Sequence, residues 1–178
     1  MRLGLIIYGS LNIVSGGYLY DRQLVRYLQQ QGDEVKVISL PWTQYGRHLL
    51  HNFHAPLRQQ LKRSDLDILL QDELNHPSLF WLNKQLQELD YCPLVSIVHH
   101  LRSSEKHPPL LLSFYRFIER QYLGTVDGFV FNSKTTRASV GTLLKQQKPH
   151  VVAYPAADHH GMAVDRATII RRAHEPGP

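Results

Sequence analysis

The chain is predicted to fold as a doubly wound α/β domain, a mainly parallel sheet with helices on both faces, and three observations predict it. Short apolar or β-branched runs alternate with longer stretches of helical spacing along most of the sequence. Runs such as PLVSIV are almost continuously apolar, as strands buried on both faces are. The first run, within Leu3–Tyr20, opens into a loop holding Gly9, Gly16 and Gly17 and then into a helix. A strand, a glycine loop and a helix N-terminus make a seat for a phosphate, because glycine lets a ligand approach the backbone and the free amides point outward.

The elements follow in order. Asp21–Gln31 carries Leu24, Val25 and Leu28 at helical spacing and is closed by Gly32. Glu34–Leu40, bounded by Pro41, reads as the second strand. Arg47–Arg63 is the next helix, with Leu49, Leu50, Phe53, Leu57 and Leu61 on one face, set to pack on the sheet with its charges in water, the alternative being that its Arg, Lys and His residues meet anionic lipid, and Pro56 expected to kink or divide it. Leu66–Leu70 is a third strand, ending in Gln71-Asp72-Glu73. Pro77 begins a helix that runs through Leu89, and Pro93–Val98 is a fourth strand with His99-His100 beyond its end. Leu110–Leu123 is helical, Val126–Phe131 a fifth strand, Ser133 an N-cap for a helix to about Gln147, and His150–Tyr154 a sixth strand.

Composition bounds the function. With 178 residues, 43% of them apolar, the chain supports one well-cored domain. A formal charge of +5 with eleven neutral histidines favours anionic partners: phosphorylated ligands, an anionic membrane surface or nucleic acid. Nucleic acid is the weakest of these, since the basic residues are spread out and neither a Cys/His zinc module nor an RNA-binding aromatic signature is present. Cys92 is the only cysteine, and no stretch approaches the roughly 18 apolar residues of a membrane span. A cytoplasmic location is expected, with a peripheral place on a membrane surface compatible with it.

In a doubly wound sheet, ligands bind beyond the carboxyl ends of the strands, near the switch in strand order. That rule gathers Ser15–Gly17, Asp72, Glu73, His99–Glu105, Asn132 and Ser133 into one crevice. The familiar α/β enzymes each lack a part here: there is no G-x-G-x-x-G with a ribose-binding acid, no G-x-x-x-x-G-K-[ST] and no G-x-S-x-G. Taken singly, Gly16-Gly17 could be a plain turn, His99 a hydrogen-bonded strand-end histidine, and Asp72 and Glu73 solvated loop acids.

Gly16-Gly17, the helix leading to Gly32-Asp33-Glu34-Val35, Val98-His99, the run Asp127–Ser133, and Pro155 with Asp158 recur in an order that resembles the N-terminal domain of a GT-B fold glycosyltransferase of the large retaining class called group 1. The resemblance implies an acceptor-side domain over residues 1–160, with 161–178 a crossover helix or linker toward a second, donor-binding domain not contained in this chain. It implies transfer of a sugar from a nucleotide-sugar donor to an acceptor hydroxyl with retention, and no activity from this domain alone. By position in the family pattern, His99 matches a histidine that contacts the donor sugar or stabilises the transition state. The amides of Gly16 and Gly17 would meet the departing diphosphate, and Asp72, Glu73, His100, Arg102 and Glu105 would orient a saccharide or lipid-linked acceptor. No cofactor or catalytic metal is expected, since neither His99-His100 nor His159-His160 has helix-face ligand spacing and such enzymes generally work without one. Pro155-Ala156-Ala157-Asp158 departs from the family, which often places a glycine before the acid. The competing expectation is a stand-alone Rossmann-like module that binds a phosphorylated metabolite or nucleotide without catalysis.

Overall fold

The computed structural model describes residues 1–155; the expected linker over 161–178, His159-His160 and Asp158 lie outside them. Six strands, β1 (Arg2–Tyr8), β2 (Glu34–Leu40), β3 (Ile68–Asp72), β4 (Leu94–Val98), β5 (Gly128–Phe131) and β6 (His150–Val152), form one sheet in the order β2-β1-β3-β4-β5-β6. Every neighbouring pair is parallel. The strand order reverses between β1 and β3, which places the switch point there. A single strand lies beyond β1 on that side, the arrangement of the flavodoxin-like order.

Parallel strands need crossovers, and six helices supply them: α1 (Gly16–Gln30), α2 (Tyr45–His48), α3 (Ala55–Arg63), α4 (His76–Gln87), α5 (Pro109–Thr125) and α6 (Lys134–Leu143). Helix α1 covers one face of the sheet, on Leu5, Ile7, Leu70 and Ile97. The opposite face, with Ile6, Tyr8, Leu69 and Val98, packs against α3, α4, α5 and α6 through side chains such as Leu61, Leu82, Tyr122 and Val140. The doubly wound α/β expectation is thus met, and β1 is buried on both sides from Leu3 to Tyr8.

Local chemistry sets the ends of the elements. Gly32 leaves α1 at φ 87°, a left-handed conformation that glycine adopts without strain. Ser15 and Ser133 cap α1 and α6, each side-chain oxygen accepting from the backbone N–H three residues on. The stretch expected as one helix over 47–63 is divided rather than kinked. A 3₁₀ turn, Leu49–Phe53, ends at His54, whose imidazole accepts from the Leu57 N–H, and Pro56 falls in the first turn of α3. Leu57 and Leu61 are buried as expected. Leu50 and Phe53 are exposed, because the tighter 3₁₀ turn breaks the 3.6-residue spacing that would have carried them to the sheet.

Candidate functional site

Strand β3 starts two residues later than its apolar run suggests and therefore runs through Gln71 and Asp72. The acids expected on a strand-end loop are consequently inside: Asp72 is fully buried, and Glu73, the next residue, nearly so. Asp72 accepts from the Leu74 N–H, capping a 3₁₀ turn over Glu73–Asn75, and Glu73 accepts from the His99 N–H at 2.9 Å. Burial raises the pKa of both carboxyls, with the charge of Asp21 adding for Asp72 and that of Asp72 for Glu73. Neither is a solvated acid. Glu73 still borders the pocket described below, whereas Asp72 lies behind its wall.

His99 follows β4 directly and is held from several sides. Its N–H is donated to Glu73, and its carbonyl accepts from Asn132 Nδ2 at 3.0 Å and Thr136 Oγ1 at 3.3 Å. Its ring meets Tyr20 edge-on, with centroids 5.1 Å apart. Nε2 lies 3.0 Å from Oδ1 of the fully buried Asp21 on α1. Burial pulls the His99 pKa down, but the hydrogen bond and charge of Asp21, and then the charge of Asp72, carry it above the ordinary histidine value. With Nε2–H given to Asp21, the second ring nitrogen, Nδ1, makes no hydrogen bond among the described residues and is the atom left for a ligand.

The two glycines separate. Both belong to the first turn of α1 rather than to a loop, so their amides have no intrahelical acceptor. Gly17 lies under His99: a Cβ there would sit 3.3 Å from the imidazole Cδ2. Gly16 has nothing within 4 Å of that position and opens instead toward a groove bordered by Tyr20 and Tyr154. The structure thus brings Gly17 to His99 and sends Gly16 to the neighbouring surface.

A cavity of roughly 400 Å³ joins Gly17, Glu73, His99, His100, Arg102 and Glu105. His100 and Glu105 are exposed and lie 3.7 Å apart. The Arg102 guanidinium stacks over Tyr115 and Tyr45, 4.7 and 5.2 Å from the ring centroids, and makes no ion pair among the described residues. Tyr8, Trp42, Tyr45, His48 and His76, not picked out as site residues from the sequence, add aromatic and imidazole rings to the wall. His76 is buried, and that burial lowers its pKa to about 4. Tyr45 OH and His76 Nε2 are 2.9 Å apart, and Tyr8 stacks on His48. An aromatic and imidazole wall with one unpaired guanidinium suits a polar or anionic ring-shaped ligand.

The signal for Asp21 lies in the helical pattern itself. It lies on the buried stripe Tyr18, Asp21, Val25 of α1, where helical spacing calls for an apolar side chain. One oxygen each of Asp21 and Asp72 and one ring nitrogen of His99 lie within 4.8 Å of one another, and these three could embrace a small cation. The Oδ2 atoms of both aspartates have no hydrogen-bond partner among the described residues. Among the described residues, no helix is long and apolar enough to cross a membrane. No protein-family model matches the sequence, and no match was found among curated proteins.

Proposed function

We propose that this chain is the acceptor-side domain of a retaining GT-B glycosyltransferase, which moves a sugar from a nucleotide donor onto an acceptor hydroxyl. One observation carries the reading: a strand-end imidazole, anchored through Nε2 on a buried aspartate and with its other nitrogen unbonded among the described residues, lines one pocket together with Ser15 and Gly17 at a helix N-terminus. Catalysis of this kind needs positioning of the acceptor and stabilisation of charge on the departing diphosphate. His99 serves the donor sugar and the developing charge, and the first turn of α1, with Gly17, faces the diphosphate. His100, Arg102 and Glu105 orient the acceptor, together with Trp42 and Tyr45. Asp72 and Glu73, given their burial, act behind His99 rather than on the acceptor. The donor is shared with a second domain outside this chain.

The test is to express the full reading frame that contains this chain and assay it against a panel of nucleotide sugars, with His99→Ala alongside. Nucleoside diphosphate release should fall by about 100-fold or more in the variant, the scale on which a lost electrostatic contact acts, measured below the variant's own melting temperature, which the loss of the buried contact with Asp21 should lower. Absence of both turnover and binding for every nucleotide sugar would overturn the proposal and leave the phosphate-binding module in its place.

A further inference from the structure

Six large apolar side chains stand in water on one face of the molecule: Leu50 (67% exposed), Phe53 (72%), Trp81 (45%), Leu110 (89%), Phe114 (39%) and Phe117 (57%). Scattered exposure of this kind is ordinary, but these residues adjoin. The Trp81 N–H donates to Asn52 Oδ1, which sets the 3₁₀ turn bearing Leu50 and Phe53 against α4. On the other side, Lys84, one turn from Trp81, donates to Gln121, one turn from Phe117, and so ties α4 to α5. Leu110, Phe114 and Phe117 follow at helical spacing along α5. The ridge ends at the pocket, where Phe114 lies 6.1 Å from Tyr45, a residue of the pocket wall.

The exposed charges on the elements that bear the ridge are basic, with exposed acids past their ends, such as Glu88 after α4 and Glu105 before α5. The stretch 45–63 contains no acid, α4 contains none, and the single acid of α5, Glu119, is buried. The cations Arg47, Arg58, Lys62 and Lys84 stand on the same elements without an ion pair among the described residues. Arg58 and Lys84 donate to the glutamine amides of Gln85 and Gln121 instead, and Lys84 also sits 5.7 Å above the Trp81 ring.

We infer that this face docks on an anionic lipid bilayer, with the aromatic ridge in the headgroup boundary and the cations on lipid phosphates. An apolar stripe carried on elements whose exposed charges are basic fits that surface, where Trp and Phe seat at the boundary and each Lys or Arg adds attraction. The pocket then opens beside the membrane. On the transferase proposal, this position selects an acceptor that is itself held in the lipid; the docking does not depend on that proposal.

The experiment is flotation of the 178-residue chain with vesicles of phosphatidylcholine alone and of phosphatidylcholine and phosphatidylglycerol in equal parts. Binding should require the anionic lipid. The double variants Phe53→Ser/Phe117→Ser and Arg47→Gln/Arg58→Gln should each weaken partitioning by about tenfold or more, from roughly 1 kcal/mol per basic residue at the surface, about 1.4 kcal/mol being tenfold. Tyr27→Ser, at an exposed aromatic on α1 across the sheet, should float as the parent does. All three variants alter exposed side chains, and melting curves would verify their folding. Equal recovery with neutral and anionic vesicles, or undiminished flotation of the ridge variant, overturns the inference. Either result reads lipid binding alone, so it stands apart from success or failure of the sugar-transfer assay.

Discussion

Replacing Asp21 by asparagine removes a charge from behind His99 while keeping an oxygen in the place of Oδ1. In the parent, the Nε2–Oδ1 bond is 3.0 Å long, with the aspartate fully buried and the His99 side chain only 11% exposed. At that distance and an effective dielectric of about 20, full charges would attract by roughly 5 kcal/mol, an upper bound. Hydrogen bonds to a charged partner contribute about 1.5–3 kcal/mol, and neutral ones about 0.5–1.5. The substitution keeps the bond and loses the difference, about 1–1.5 kcal/mol, whenever His99 is protonated.

The sign with pH follows from the raised pKa of His99, for which burial works downward and Asp21 and then Asp72 upward. A base whose folded pKa is raised contributes stability that is fully present below its unfolded value, about 6.5, and is lost as pH rises through the folded value. The deficit of Asp21→Asn in urea unfolding should therefore be largest below about pH 6.5 and shrink in alkaline solution. In parallel, the titration midpoint of the His99 Cε1 proton, assigned by comparison with His99→Gln, should fall. A deficit that is the same at both ends of the pH range, or a midpoint that stays in place, would refute the assignment of Asp21 as the group that charges and orients His99.

The two glycines should behave differently when changed to alanine. Gly16→Ala meets open space in the first turn of α1 and should leave stability within about 0.5 kcal/mol, the usual range for surface changes. Gly17→Ala should displace the imidazole above it, visible as a shift of the His99 ring resonances with the helix content unchanged. Asp72→Asn should stabilise the protein at neutral pH. Burial and then Asp21 raise this carboxyl from 3.8 to about 7, so its contribution is fully present below the unfolded value and is lost as pH rises toward about 7. The variant's advantage in urea unfolding should grow across that window. An advantage that shrinks with rising pH would contradict this linkage.

Most of the fold was written in features that repeat. Apolar runs of strand length separated by helical spacing gave six parallel strands, and Ser15, Gly32 and Ser133 mark helix ends by side-chain oxygen or backbone conformation. The site was legible only where it depends on strand ends. His99 sits where the run PLVSIV stops, and the loop to Glu105 follows it into the pocket. Asp72 and Glu73 were misplaced because two polar residues can extend a buried strand when partners await them: Gln71 exchanges both amide bonds with Asn83, and Glu73 meets the His99 N–H. The stacking of Arg102 on Tyr45 and Tyr115 joins α2 to α5 across the sheet's edge, and no local pattern announces it. Leu50 and Phe53 follow a helical period that the backbone abandons at the 3₁₀ turn.

Four carboxylates, Asp21, Asp72, Glu73 and Glu119, are withdrawn into the interior. The formal charge of +5 counts them as though they stood in water. They do not, and three of them have raised pKa values because burial disfavours their charged form. The surface that a column matrix or a counterion meets is therefore more basic than the composition states. A cation exchanger should hold the folded chain more tightly than its composition predicts, and unfolding, which returns those carboxylates to water, should loosen that grip.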